Sequence, residues 1–268
     1  MPISKNGIIL TNLDEWQEQT GPKKSTHWSE NRGSVELAKA WLNTEQGKVP
    51  AGVSWLLEKH DAFGPVISWK AEPEVKLNFD KFGSQPKTTD LVIETVDSHG
   101  SFLIGVEATT DEAFSDSVSK TLCNALERKI KSPNSNGIER IEQLVAGLFG
   151  SRLKGESSVG AIRYQLMTTC AGILCEGERR GHDRVLMLIH EFVGKNTNAD
   201  KVARNAADVG KFLSRLSHGK VNGIKSGDIV GPFKIPGAPL IENPIKLYIG
   251  KLSTDLRRIR KQPAKTDQ

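Results

Sequence analysis

Cysteine is scarce in this sequence: Cys123, Cys170 and Cys175 are its three, and none stands in a CxxC pair. An odd count without that spacing argues against a disulfide framework and against a zinc ribbon. Long hydrophobic runs are missing too. The GIIL of the opening MPISKNGIILTNLDEW is too short for a signal h-region or a membrane span, and no later stretch is long enough. The expectation is therefore a cytoplasmic protein. The chain also lacks an internal repeat, a long low-complexity tract, a GxxxxGK[ST] phosphate loop, a GxGxxG after a strand and a GxSxG elbow. P-loop, dinucleotide-binding and serine-hydrolase chemistry lose their usual signals with them.

The 268 residues suit one large domain, or one domain with an appendage. With 37% hydrophobic and 26% charged residues the chain can bury a core and is not of the disordered type. A net charge of +5 suits a polyanionic partner without requiring one.

Periodicity supplies the elements. Residues 21–33, GPKKSTHWSENRG, are polar and turn-rich. A helix is expected from Ser34, as cap, to about Asn43, with Leu37, Ala40 and Trp41 at helical spacing. A second short helix is expected over Val53 to Lys59. VISWK (66–70) and VKLNF (75–79) read as two strands, and GSQPKTTD (83–90) as a loop. LVIETV (91–96) and FLIGVE (102–107) flank DSHGS and form a hairpin. Helices follow over Ser115 to Lys131, around Ile138 to Leu148, and over Ser158 to Glu176. VLMLIHEF (185–192) is a continuous apolar run, as in a strand covered on both faces. Asn198 caps a last helix running to Leu216. Strands 102–107 and 185–192, joined by helices, form a βαβ crossover, expected to be right-handed. The fold class is α/β, a mixed central sheet with helices on both faces. Residues 1–218 are expected to form this domain. Residues 219–268, rich in Gly and Pro, are expected to form a β-appendage with IKLYIGKL as its best strand, and then the basic tail RRIRKQPAKTDQ.

The hairpin carries the chemistry. If Asp97 pairs with Gly100 around Ser98-His99, then Ile93 faces Ile104, Leu91 faces Val106, and Asp90 faces Glu107. Leu91, Ile93 and Thr95 then share a nearly apolar face with Phe102, Ile104 and Val106, and a one-residue slip would bring an acid into it. Ser-His is not a favoured type I′ pair, so the turn type stays open. Opposed residues have Cβ atoms about 5 Å apart, and two carboxylates there repel. A bound Mg²⁺ or Mn²⁺ ion would offset the repulsion, polarise a phosphate and activate water. The hairpin by itself also suits two acids at solvated strand ends, where repulsion is cheap.

Helix, strand, hairpin with Asp then Glu, helix and buried strand together resemble the PD-(D/E)xK phosphodiesterase superfamily, the restriction endonuclease-like fold. In that family an Asp starts the second core strand and a Glu-x-Lys follows on the third. Asp90 and Glu107-Ala108-Thr109 match those positions. HWSENRGSVELAKAWL (27–42), PEVKLNF, SQPKTTD and GVEATTDEAF are similar to uncharacterised bacterial members of the superfamily. Those tend to carry an acid in the first helix, matched by Glu36. IRYQLMTTCAG (162–172) resembles the helix packed beside the site, which makes Arg163 and Gln165 secondary candidates. The resemblance covers roughly residues 27–192. It implies Mg²⁺-dependent cleavage of DNA, with RNA not excluded, and a possible homodimer.

One departure stands at the lysine position, where the residue is Thr109. A threonine can hydrogen-bond but cannot neutralise developing charge. Three readings follow: Lys120 on the next helix reaches in, Thr109 suffices beside the metal, or the fold serves as a weakened or inactive binding module. Glu94, on the face of Asp90, and the pair His190-Glu191 are weaker candidates, better read as an exposed strand acid and a hydrogen-bonded histidine. Cys170 and Cys175 read as small apolar packing groups. The five tryptophans (Trp16, Trp28, Trp41, Trp55 and Trp69) read as core or surface anchors more readily than as base-stacking platforms.

Overall fold

Alternation and helical spacing in this chain resolve into a three-layer α/β structure. The structure, a computed structural model, describes residues 3–20, 28–45, 47–82, 86–243 and 245–259. In chain order the elements are β1 (Ser4–Lys5), β2 (Ile8–Ile9), α1 (Leu13–Thr20), α2 (Gly33–Leu42), α3 (Ala51–Glu58), β3 (Ser68–Leu77), β4 (Lys87–Asp97) and β5 (Gly100–Thr109). After them come α4 (Val118–Lys131), α5 (Gly137–Phe149), α6 (Tyr164–Arg179), β6 (Arg184–Val193), α7 (Ala199–Leu216), β7 (Asp228–Phe233), β8 (Lys246–Asp255) and α8 (Leu256–Ile259). Among the described residues no helix is long and apolar enough to cross a membrane.

Six strands form one sheet in the order β3-β4-β5-β6-β8-β7. The first three are antiparallel, β5, β6 and β8 run parallel, and β7 returns antiparallel to β8. The expected crossover from β5 to a parallel β6 is present, carried by α4, α5 and α6. Each face of the sheet has its own apolar core. Leu91, Ile93, Phe102, Ile104 and Val106 pack with Leu37, Trp41 and Leu57 on the face covered by α2 and α3. Val92, Leu103, Val185 and Met187 pack on the other face with Leu166, Ile173 and Phe212, under α6 and α7. Burying one such large apolar side chain contributes about 1.5–3 kcal/mol, so these two layers dominate the fold's stability.

The hairpin register runs from Asp97↔Gly100 to Leu91↔Val106, as the alternation of its two strands requires. Ser98 and His99 both keep negative φ and Gly100 takes +111°, so the turn is not of a primed type.

Several expectations are corrected. VISWK and VKLNF belong to one strand, β3. Pro73 is tolerated because β3 lies at the sheet's edge, and Glu74 (φ 50°) interrupts the ladder without shifting it, since Pro73↔Leu91 and Val75↔Thr89 keep one register. Residues 87–90 are not loop but the start of β4, paired with the end of β3. Ser34 is not the cap of α2; Arg32 stands at that position without a side-chain cap, and Glu112 accepts the Gly33 N–H at 3.3 Å instead. The strands expected in a C-terminal β-appendage, β7 and β8, belong to the central sheet. β8 pairs along its whole length with β6, and β7 with β8, so these strands complete the central sheet. The basic tail from residue 260 onward lies outside the described residues.

Candidate functional site

One step beyond the last hairpin pair, Leu91↔Val106, the register sets Asp90 across from Glu107. Alternation puts Asp90 on the face of Val92, and Glu107 on that of Leu103 and Gly105. This is the face covered by α6, where Leu103 is buried and Ile173 Cγ2 comes within 2.2 Å of the place a Cβ on Gly105 would take. Only a glycine at 105 lets α6 lie this close.

That close approach determines the surroundings of Glu107, which is 2% exposed. Gln165 Nε2 donates to its Oε2 at 2.5 Å and Thr169 Oγ1 donates to its Oε1 at 2.6 Å. Both donors stand on α6 four residues apart, hence on one helical face. The helix start is anchored by the segment before α4: Ser115 Oγ accepts the Gln165 N–H at 3.0 Å, and Tyr164 N–H donates to the Asp116 carbonyl at 3.0 Å. Arg163, the other candidate from this stretch, donates to Asp208 at 2.6 Å and to the Ser115 carbonyl at 3.1 Å, tying α6 to α7. Asp90 is oriented from the backbone, its Oδ2 accepting the Ala108 N–H at 2.8 Å. Its carboxyl group is thus bonded to the residue next to Glu107 on the neighbouring strand.

The other candidates go elsewhere. Thr109 is buried, and its hydroxyl donates to the Glu112 carbonyl at 3.1 Å. Lys120 does not reach in; its ammonium lies 3.0 Å from Asp116 on an exposed surface. Glu36 does not join the pair. It belongs to α2, on the opposite face, where its Oε1 accepts the Asn31 N–H at 2.9 Å and Lys39 Nζ at 3.2 Å. Glu94 pairs with Lys70 and Arg180, nearer the hairpin turn. His190 and Glu191 point to opposite faces of β6. His190 Nε2 bonds Thr254 Oγ1 at 2.8 Å, and Glu191 accepts from Ser253 Oγ at 2.8 Å with Lys251 3.5 Å away. Four tryptophans pack in or against the core under α2 and α3, but Trp55 is 53% exposed.

Sequence reasoning missed the role of the loop that follows β5. Glu112 Oε2 accepts from Thr110 N and Thr110 Oγ1, each at 2.7 Å, while Oε1 meets the start of α2. Burial alone would raise the Glu112 carboxyl, but the Thr110 and Gly33 hydrogen bonds outweigh it and hold the group below the usual carboxylate range. Asp111 Oδ2 accepts the Asn198 N–H at 3.1 Å, just ahead of α7. One acidic loop therefore fastens helices from both layers beside Thr109. The signal in the sequence was the run TTDE directly after a buried strand.

Residues 9–256 match the family model of a domain of unknown function, DUF6946. The chain belongs to the DUF6946 family. No curated protein and no solved structure matches it. The DUF6946 region takes in β4, β5 and α6, which carry the acidic pair, and also β7 and β8.

Among the described residues no group of three or more His, Cys, Asp or Glu side chains converges as a metal cage. Two carboxylates on one face of adjacent strands still fit a small hard cation, because Mg²⁺ is commonly held by one or two carboxylates with water completing its shell.

Proposed function

We propose that this protein is a Mg²⁺-dependent phosphodiesterase that cleaves DNA, with a restriction endonuclease-like core. The observation that carries the reading is the acidic pair: Asp90 and Glu107 on one face of adjacent strands, each oriented by hydrogen bonds from its neighbours. The element order supports it: helices, three antiparallel strands, helices, then a strand parallel to the third. That is the order the PD-(D/E)xK resemblance implies. Asp90 and Glu107 would hold the ion, which when bound supplies a Lewis acid for the phosphate and a more acidic water. Gln165 and Thr169 fix the Glu107 carboxylate, and the Ala108 N–H fixes Asp90, so neither acid has to reorganise as charge develops. Surface lysines and arginines would bind the phosphate backbone, which makes affinity fall with salt.

A second reading has its own support. Thr109 stands where the family has lysine, its hydroxyl engaged by Glu112, and Lys120 is turned to Asp116. A non-catalytic module that binds nucleic acid or a protein partner fits those contacts.

Plasmid DNA incubated with the protein and Mg²⁺ or Mn²⁺ separates the two readings. The expected result is cleavage by wild type and loss of at least a hundredfold in Asp90→Asn and in Glu107→Gln. Salt-sensitive binding without cleavage favours the module, and neither binding nor cleavage rejects both nucleic-acid readings. A single-stranded RNA arm tests substrate choice. Linear product without a nicked intermediate is the outcome expected if two copies act together.

A further inference from the structure

On the sheet face away from Glu107 a groove of about 1260 Å³ opens between α2 and α3, above the ends of β6 and β8. His190, Phe192, Leu252 and Thr254 line its floor, with Glu36 and Trp55 on its walls. The volume is ample for a small ligand. Two features of the lining are unusual for a merely structural surface. The first is His190, which is 1% exposed. Its ring stacks on Phe192 at a centroid distance of 4.1 Å and its Nε2 is bonded to Thr254, yet its Nδ1 has no hydrogen-bond partner among the described residues. A buried ring nitrogen left unpaired carries a desolvation penalty that a ligand hydrogen bond would remove. The second is Trp55, a large aromatic side chain more than half exposed beside an apolar floor.

Charge narrows the ligand. The lining carries Glu30, Glu36, Glu45 and Glu58 against Lys39 and Lys48. Both lysines are already engaged, Lys39 between Glu30 and Glu36 and Lys48 on Glu45. A phosphate or carboxylate would enter against a net negative wall.

We propose that this groove is a binding site for a planar, uncharged heteroaromatic molecule of one or two fused rings, whose apolar body lies against Leu252 and Trp55 and whose polar edge pairs with His190 Nδ1 once the buried ring turns toward the groove. A ring that carries both an N–H and a bare nitrogen on one edge suits either tautomer of the imidazole. The site is independent of the nuclease reading: it lies on the other face of the sheet and shares no side chain with the Asp90–Glu107 pair.

The test titrates benzimidazole into the full-length protein and follows tryptophan fluorescence and the His190 ring resonances. Benzoate, an anion of similar size, is the comparison, and His190→Phe and Trp55→Ala are the variants. The expected result is saturable benzimidazole binding, at least tenfold weaker for benzoate. His190→Phe, which keeps the ring and removes the nitrogens, is expected to weaken binding about tenfold, the loss of one hydrogen bond. Trp55→Ala weakens it as well and, being at an exposed position, provides the test should His190→Phe not fold. No saturation at millimolar benzimidazole, benzoate binding as tightly, or unchanged affinity in a folded variant would overturn the proposal.

Discussion

Glu107 is a carboxylate removed from water, and such a group is tolerated only where hydrogen bonds replace its hydration. Gln165 and Thr169 supply them, one to each oxygen. The same two contacts tie β5 to α6, so they serve stability and site geometry at once. Gln165→Leu keeps the approximate size and removes the donor to Oε2. Bonds to charged groups are worth about 1.5–3 kcal/mol, and that is the expected loss in urea unfolding, with the larger share of it absent in a Glu107→Gln background. A change below about 0.5 kcal/mol, or full additivity of the two substitutions, would mean that the contact does not hold the carboxylate. The cysteines stand at the opposite pole of reactivity. Burial pushes the Cys175 thiol up to about 12 and Cys170 higher still, which fits packing groups and not nucleophiles.

At the scale of elements, two glycines seat helices on β5 from opposite sides: Gly105 under α6 and Gly33 at the start of α2. A Cβ on Gly33 would lie 2.6 Å from the Ala108 carbonyl oxygen, a backbone atom that cannot turn aside. Alanine favours a helix over glycine by up to about 1 kcal/mol, whereas overpacking costs about 1–3 kcal/mol. The clash is expected to win, so Gly33→Ala lowers the midpoint of thermal unfolding. A raised midpoint would show that α2 is free to shift. The elements also show what could be read from the chain alone. The hairpin register was legible because both strands alternate and an acid at each end forbids a slip. Helices with strong apolar stripes, such as α5 and α7, were legible for the same reason. The unity of β3 was not, because Pro73 and Glu74 interrupt its pattern and only the edge position makes that harmless. The place of Glu36 was not legible either: its spacing gives a face of α2 but not which side of the sheet α2 covers. The joining of β8 to β6 was hidden because parallel pairing over some sixty residues of chain leaves no local mark. The Glu112 cap on α2 is a partner 79 positions away, equally invisible in local sequence.

Across the whole molecule, the sheet separates two candidate sites. The α6 face holds the acidic pair, and the α2–α3 face holds the groove over His190. β6 joins them, since His190 pairs in register with Ala108, the residue between Glu107 and Thr109. Burial pushes the His190 imidazole down to about 3 from an ordinary 6.5. Between those values the unfolded chain binds a proton that the folded chain does not. Stability therefore falls as pH drops from about 6.5 toward 3, by up to about 1.4 kcal/mol per pH unit from this group. His182 is shifted the same way by burial, and it is common to both proteins in the comparison that follows. His190→Phe is expected to flatten the acid side of the stability curve relative to wild type, and equal acid slopes would contradict the burial of a neutral ring. The most direct test of the acidic pair is a Mn²⁺ titration followed by the electron paramagnetic resonance of the free ion. One ion bound per chain is expected, abolished by Asp90→Asn and by Glu107→Gln and retained by Glu36→Gln. No binding at millimolar Mn²⁺, or binding that survives both substitutions, would contradict a cation shared between those two carboxylates.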